Sequence, residues 1–291
     1  MPLVFVPTPL GNLRDVTVRA LEILRAADLV VAEDTRVARR LLSALDVGPK
    51  RLASYREQNA ASVTPTILDR ARQNLVAVVT DAGMPGVSDP GSELVTAARA
   101  AGIGVEVLPG PSAVLGVAVL SGFPLRRFAF EGFPPRTAGA RRAGFARALA
   151  VGITTIWFES PQRIVATLRD LAAVAPDSSV FLVREYTKLH EQQAAGTPDA
   201  VAAQLGTLRG EIAFAVAPGE PSAQTRSAPR CADDVTVAID GLLDEGRSVS
   251  EIAKALAERS LGARGDLYRL AGERKRSRAK VAAPAGTKHS P

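Results

Sequence analysis

Short apolar runs alternate with stretches of helical spacing along most of the chain. Residues 3–6 read as a buried strand and residues 7–12 as a loop. Helical spacing over residues 16–25, with Asp15 as N-cap, leads to a strand at 29–32 that ends on Glu33-Asp34-Thr35-Arg36. Residues 37–45 are helical, 67–72 helix, 75–79 strand, 94–101 helix and 105–108 strand. The style repeats in the second half, with strands predicted at 128–130, 154–158, 180–183 and 212–216 and helices at 140–150, 163–173 and 198–205. Alternating strands and helices imply an α/β protein: two α/β domains with mostly parallel sheets. The boundary is predicted at 121/122, giving domains at 1–121 and 122–218.

The pattern then changes. Residues 219–231 are polar and proline-containing, as a linker is, and residues 232–273 form a small helical module. Its three short helices fall at 235–243, 249–258 and 266–270, an arrangement like a helix-turn-helix. Ser248 and Glu251 have the spacing of a capping box. Beyond Ala271 the chain is expected to be disordered, with residues 274–291 a basic tail.

Charge sharpens that division. The 291 residues carry 36 Lys and Arg against 30 Asp and Glu, a net +6. Between Arg264 and Lys288 stand eight cations and two carboxylates, so this stretch alone supplies the whole excess. A neutral body with a basic end suggests a polyanionic partner. One cysteine, Cys231, excludes an internal disulfide. With only His190 and His289 besides, a metal site is not expected. No targeting segment and no long apolar run is visible, so a cytoplasmic location without membrane contact is expected.

Several phosphate-binding signatures are missing. There is no Gly-Lys-Ser/Thr, and Gly102-Ile103-Gly104 precedes a strand where a dinucleotide fingerprint would follow one. What the chain has are Pro- and Gly-rich loops after three strands: residues 7–12, 81–91 and 109–113. In an open α/β sheet such loops line the ligand crevice. Val6-Pro7-Thr8-Pro9-Leu10-Gly11-Asn12-Leu13, Ala32-Glu33-Asp34-Thr35-Arg36, the 81–91 loop, Leu108-Pro109-Gly110-Pro111-Ser112 and Glu131-Gly132-Phe133 resemble the ribosomal RNA small subunit methyltransferase I family, in the tetrapyrrole methylase superfamily. Glu159-Ser160-Pro161-x-Arg163, Arg184-Glu185-x-Thr187-Lys188 and Gly210-Glu211 continue the likeness, which covers about residues 3–217. Gln162 departs from it, standing where the family usually has histidine.

The resemblance implies S-adenosyl-L-methionine in a crevice between the two α/β domains, 2′-O-methylation of a cytidine ribose in the decoding region of 16S rRNA, and a homodimer. The partner would be 16S rRNA or the assembled small ribosomal subunit. Carried over by motif, the cofactor residues are Pro9, Leu10, Gly11, Ala82, Gly83, Met84, Val87, Ser112, Ala113, Phe158, Glu159 and Ser160. A ribose hydroxyl is weakly acidic and benefits from a base; with histidine scarce, the candidates are Glu33, Asp34, Glu159 and Glu185, each near a predicted strand end. Candidate RNA contacts are Arg36, Arg163 and Lys188 in the same motifs, Arg136, Arg141 and Arg142 in a basic cluster, and Arg274, Lys275 and Arg276 in the tail. Two other readings compete: a methylase of a tetrapyrrole or other small molecule, and a nucleic-acid-binding adaptor without activity.

Overall fold

The computed structural model describes residues 2–206, 209–217, 232–258 and 264–282. The chain divides into two compact units, Met1–Pro218 and Gly219–Pro291.

The first unit opens with β1 (Leu3–Phe5), α1 (Val18–Ala26), β2 (Leu29–Ala32), α2 (Thr35–Ala44), β3 (Arg51–Ser54), α3 (Ala60–Gln73), β4 (Val76–Val79), α4 (Ser92–Ala100) and β5 (Val105–Val107). The five strands form one sheet in the order β3-β2-β4-β1-β5, parallel throughout. β1 and β4 are buried along their whole length, as strands covered on both faces must be. Successive side chains point to opposite faces: Val4, Val30 and Ala77 pack with Leu24 and Leu42, while Leu3, Val31, Val76 and Val78 pack with Ile67 and Leu94. The N-cap of α1 is Thr17, whose hydroxyl accepts from Ala20 N–H at 3.1 Å, and not Asp15. β3 is a strand that the hydrophobic pattern does not announce.

α5 (Ala113–Ser121) leads to β6 (Phe128–Gly132), α6 (Ala138–Ala150), β7 (Thr154–Glu159), α7 (Ile164–Ala172), β8 (Ser179–Arg184), β9 (Gln192–Gly196), α8 (Pro198–Gln204) and β10 (Ile212–Ala217). Their sheet runs β6-β7-β10-β8-β9. Here the parallel expectation holds only for β6 and β7; β7–β10, β10–β8 and β8–β9 are antiparallel. Phe145, Leu168 and Val201 cover one face against Trp157, Leu182 and Phe214. The other face takes Val114, Val117 and Ala118 of α5 against Ile156, Phe181, Val183 and Ala215. The changeover between sheets therefore precedes α5, about one helix before the expected 121/122 boundary.

The second unit has α9 (Ala232–Asp244), α10 (Val249–Glu258) and α11 (Arg264–Ala282). Ile239, Leu242, Ile252, Leu256 and Leu267 make its core. The capping box forms: Ser248 Oγ accepts from Glu251 N–H at 3.3 Å, and Glu251 accepts from Ser248 N–H at 2.9 Å. α11 corrects the disorder expected after Ala271, because it runs 19 residues to Ala282. Arg274 makes a fork with Asp240 on α9, at 2.9 and 2.6 Å, that helps dock this extension. The predicted linker at 219–231 and the end of the tail at 283–291 lie outside the described residues. Among the described residues, no helix is long and apolar enough to cross a membrane.

Candidate active site

Because the first sheet is parallel, the loops after β1, β2, β4 and β5 all leave from one edge. In the second sheet, antiparallel pairing brings the start of β10 beside the ends of β7 and β8, with Ile212 opposite Glu159 and Arg184. The two edges enclose a cavity of about 430 Å³. Leu10, Ala82, Gly83, Met84, Val87, Ser112 and Ala113 line it from the chain after β1, β4 and β5, and Phe158, Glu159 and Ser160 from the second sheet. Ten of the twelve residues carried over as cofactor-binding thus meet in one place. Pro9 and Gly11 do not line it; they shape the loop beside it.

Local chemistry holds these loops. Thr8 and Gly83 exchange backbone hydrogen bonds at 2.9 and 3.0 Å, pinning the 81–91 loop to the loop after β1. Gly83 has φ +84, and a Cβ there would lie 2.9 Å from Leu10 Cδ2, so glycine serves both the turn and the close approach. Ser112 caps α5 by accepting from Leu115 N–H. Phe133 and Phe158 meet edge to face, with centroids 5.7 Å apart, in the apolar wall.

Glu33, Asp81, Asp89 and Glu211 add carboxylates to the lining, and no Lys, Arg or His is present among the described lining residues. Thr80 Oγ donates to Asp89 at 2.7 Å and lies 3.5 Å from Glu33. Loss of solvent is the leading cause that pushes the Glu33, Asp81 and Asp89 carboxyls above the ordinary range, and repulsion from neighbouring carboxylates, Asp34 and Glu211 included, adds to it.

The other candidate bases are engaged elsewhere. Asp34 is outside the cavity lining and caps α2, accepting from Arg36 N–H at 2.8 Å and pairing with the Arg36 guanidinium at 2.6 Å. Those bonds hold its carboxyl well below the usual carboxylate range. Glu159, 2% exposed, accepts from Ser160 N–H and Thr167 Oγ and pairs with Arg163 at 3.1 Å. Glu185 pairs with Lys188 at 2.8 Å and accepts from Glu211 N–H at 3.0 Å. Glu33 alone of the four lines the cavity without an ion pair among the described residues. Sequence reasoning misses Asp81, Asp89 and Glu211 as site residues, although all three lie in the motifs that carry the resemblance.

Several of the expected RNA contacts are engaged within the protein. Arg141 is buried at 6% exposure, with Nε 2.8 Å from Asp170, and its Nη1 donates to the Pro135 and Arg136 carbonyls. Arg163 donates to the Pro134 and Pro135 carbonyls, so it ties the β6–α6 loop to Glu159. Lys188 bridges Glu185 and Glu211. Arg142 shares Asp170 but remains half-exposed, and Arg36, Arg136, Lys275 and Arg276 stand in solvent.

Comparison with known proteins bears on the same residues. A family model described as Tetrapyrrole (Corrin/Porphyrin) Methylases matches residues 2–202. Ribosomal RNA small subunit methyltransferase I of Thermotoga maritima is 44% identical over 192 residues, covering 65% of this chain and 85% of its own. The protein of that name from Micromonospora olivasterospora is 39% identical over 256 residues, covering 87% and 81%. Among solved structures, diphthine synthase superposes with a TM-score of 0.59 at 18% identity, covering 75% of this chain and 90% of its own. Uroporphyrin-III C-methyl transferase from Thermus thermophilus, complexed with S-adenyl homocysteine, gives 0.53 at 21%, covering 75% and 97%. At those identities the structures show a shared fold. The sequence relatives and the family model go further: the chain belongs to the tetrapyrrole methylase family and, within it, to the ribosomal RNA small subunit methyltransferase I proteins.

Proposed function

We propose that the chain transfers the methyl group of S-adenosylmethionine to the 2′-hydroxyl of a cytidine in the decoding region of 16S rRNA. The observation that carries this reading is the make-up of the cavity, an apolar wall with carboxylates and no cationic side chain among the described lining residues. Such a lining repels phosphate and suits a cationic nucleoside that has none. Leu10, Met84, Val87, Phe133 and Phe158 offer the apolar surface, and Asp81 and Asp89 the counter-charge for its cationic groups. When bound, the sulfonium supplies an activated methyl group. Glu33, free of ion pairs among the described residues and with its carboxyl raised by burial, takes the proton from the ribose hydroxyl. The loops from both sheets fix the approach, which supplies much of the rate.

RNA as acceptor is supported by the names of the relatives and by the basic surface of α11, where Lys275 and Arg276 are exposed. A homodimer belongs to the same proposal, supported by the apolar outer side of α5, where Leu115 and Val119 are exposed. A cytoplasmic site of action follows from the proposed substrate.

Two measurements test the reading. Calorimetry should show S-adenosylmethionine binding without RNA, and ribose-methylation mapping of 16S rRNA from cells lacking the protein should lose one cytidine mark. An unchanged map would overturn the proposed acceptor, and an absent binding heat the proposed cofactor.

The helical unit is expected to add affinity without choosing the nucleotide. Removing residues 232–291 should weaken RNA binding and flatten its dependence on salt, by ~0.7–0.9 in slope for each phosphate that the unit neutralises. Cofactor affinity and the modified position should stay as they are. Filter binding across a salt series, followed by mapping of the product, checks both.

A further inference from the structure

The turn after β8 carries the Arg184-Glu185-x-Thr187-Lys188 motif, and the proposed proton transfer uses none of its side chains. Its backbone is unusual: Glu185 has φ +52 and Thr187 φ +66. For a β-branched residue such as Thr187 the left-handed region is a true outlier, so the surroundings must impose it. Thr187 N–H donates to Glu191 at 2.8 Å, while its Oγ accepts from Asn12 N–H at 3.2 Å. Glu185 and Glu211 are joined twice: Glu185 N–H donates to the Glu211 carbonyl at 2.9 Å, and Glu211 N–H to the Glu185 carboxylate at 3.0 Å.

Lys188 completes the arrangement. Its stem crosses Gly11, where any Cβ would overlap it, and its Nζ reaches Glu185 at 2.8 Å and Glu211 at 3.1 Å. Gly11 follows Leu10, a cavity wall supplied by the first sheet. Glu211 precedes Ile212, and both are cavity walls supplied by the second. The side chain therefore lies over one wall and is bound to the other. Two of the three ammonium hydrogens are directed at carboxylates, which leaves little of the cation for a phosphate.

We propose that Lys188 is a positioning residue that clamps the Leu10 and Glu211 walls of the cofactor cavity together, and is not an RNA contact. This rests on the reading of that cavity as the S-adenosylmethionine site. Without the clamp the two walls part more often, and apparent cofactor affinity falls in proportion to the closed fraction.

Two variants test it by separate routes. Lys188→Met keeps the stem over Gly11 and removes the ammonium. Gly11→Ala keeps the charge and pushes the stem away. Each is expected to raise the S-adenosylmethionine Kd about tenfold by calorimetry without RNA. RNA affinity and its salt slope should match the wild-type protein, and circular dichroism should show a folded chain. A folded Lys188→Met protein with wild-type cofactor Kd would overturn the clamp. So would a salt slope reduced by the amount expected for about one phosphate, which would assign Lys188 to RNA. Should Lys188→Met fail to fold, Gly11→Ala decides alone, with an unchanged Kd counting against the clamp. Wild-type protein that binds no cofactor would instead refute the cavity assignment.

Discussion

Replacing Asp170 with alanine should destabilise the first unit by about 3 kcal/mol or more, because it strands a buried guanidinium. The Arg141 side chain is 7% exposed and the Asp170 side chain 12%, so bulk water is a poor replacement for the missing carboxylate. Arg142, whose Nη1 lies 2.9 Å from the same carboxylate, is deprived of its partner as well. For a body of this size the change corresponds to a melting point lower by roughly 6–12 °C. Replacing Arg141 and Asp170 together with apolar residues should be milder, since no charge is left buried. Thermal melts of the single and double variants check the order. RNA affinity of the double variant should keep its salt slope, as Arg141 has no access to phosphate.

Glu33→Gln should cost about 10²–10⁴-fold in kcat if its carboxylate takes the ribose proton. The same assignment fixes the direction of the pH dependence. Glu33 works only when ionised, so the rate should rise with pH through its raised pKa and fall as the pH drops below it. Stability of the free protein runs the other way. Glu33, Asp81 and Asp89 hold protons more tightly folded than unfolded. Their contribution to stability is therefore greatest below the ordinary carboxylate range and declines as pH rises through the folded values. A cationic cofactor offsets the repulsion, so the melting-point gain on adding S-adenosylmethionine should grow with pH over that window. A gain that shrank as the carboxylates ionised would show that they do not face the cation. Neutral S-adenosylhomocysteine, lacking the sulfonium charge, should give the smaller gain.

The first sheet is legible in the sequence because its central strands are continuous apolar runs: Leu3–Phe5, Leu29–Ala32 and Val76–Val79 announce burial on both faces. β9 sends no such signal. Gln192-Gln193-Ala194-Ala195-Gly196 has no branched or aromatic residue and pairs on one side only, with β8. Direction of pairing is hidden for another reason, since a strand's own residues do not name its neighbour. The loops of the site are visible from their Pro and Gly content. The roles of the acids are not, because position at a strand end cannot say which way a side chain turns. Glu33 and Asp34 are adjacent, yet one lines the cavity and the other caps a helix. Arg141 reads as a surface residue because it sits in a basic cluster; its partner Asp170 is 29 residues away.

The order of strands in the second sheet sets a timetable for synthesis. The first sheet holds every strand it needs once Val107 has been made. In the second, β10 is the last strand to leave the ribosome and the middle one in the sheet, lying between β7 and β8. Until residues 212–217 emerge, β7 and β8 each present an unpaired edge, and the apolar side of α5 has an incomplete surface to rest on. A nascent chain stalled between α5 and β10 would thus carry one finished half and one sticky half, a state that invites aggregation or a chaperone. The cavity, which takes Glu211, Ile212 and Ala213 as walls, cannot exist before that last strand arrives. A chain that stops short of β10 lacks three walls of the proposed cofactor cavity, whereas one that stops just after it lacks none.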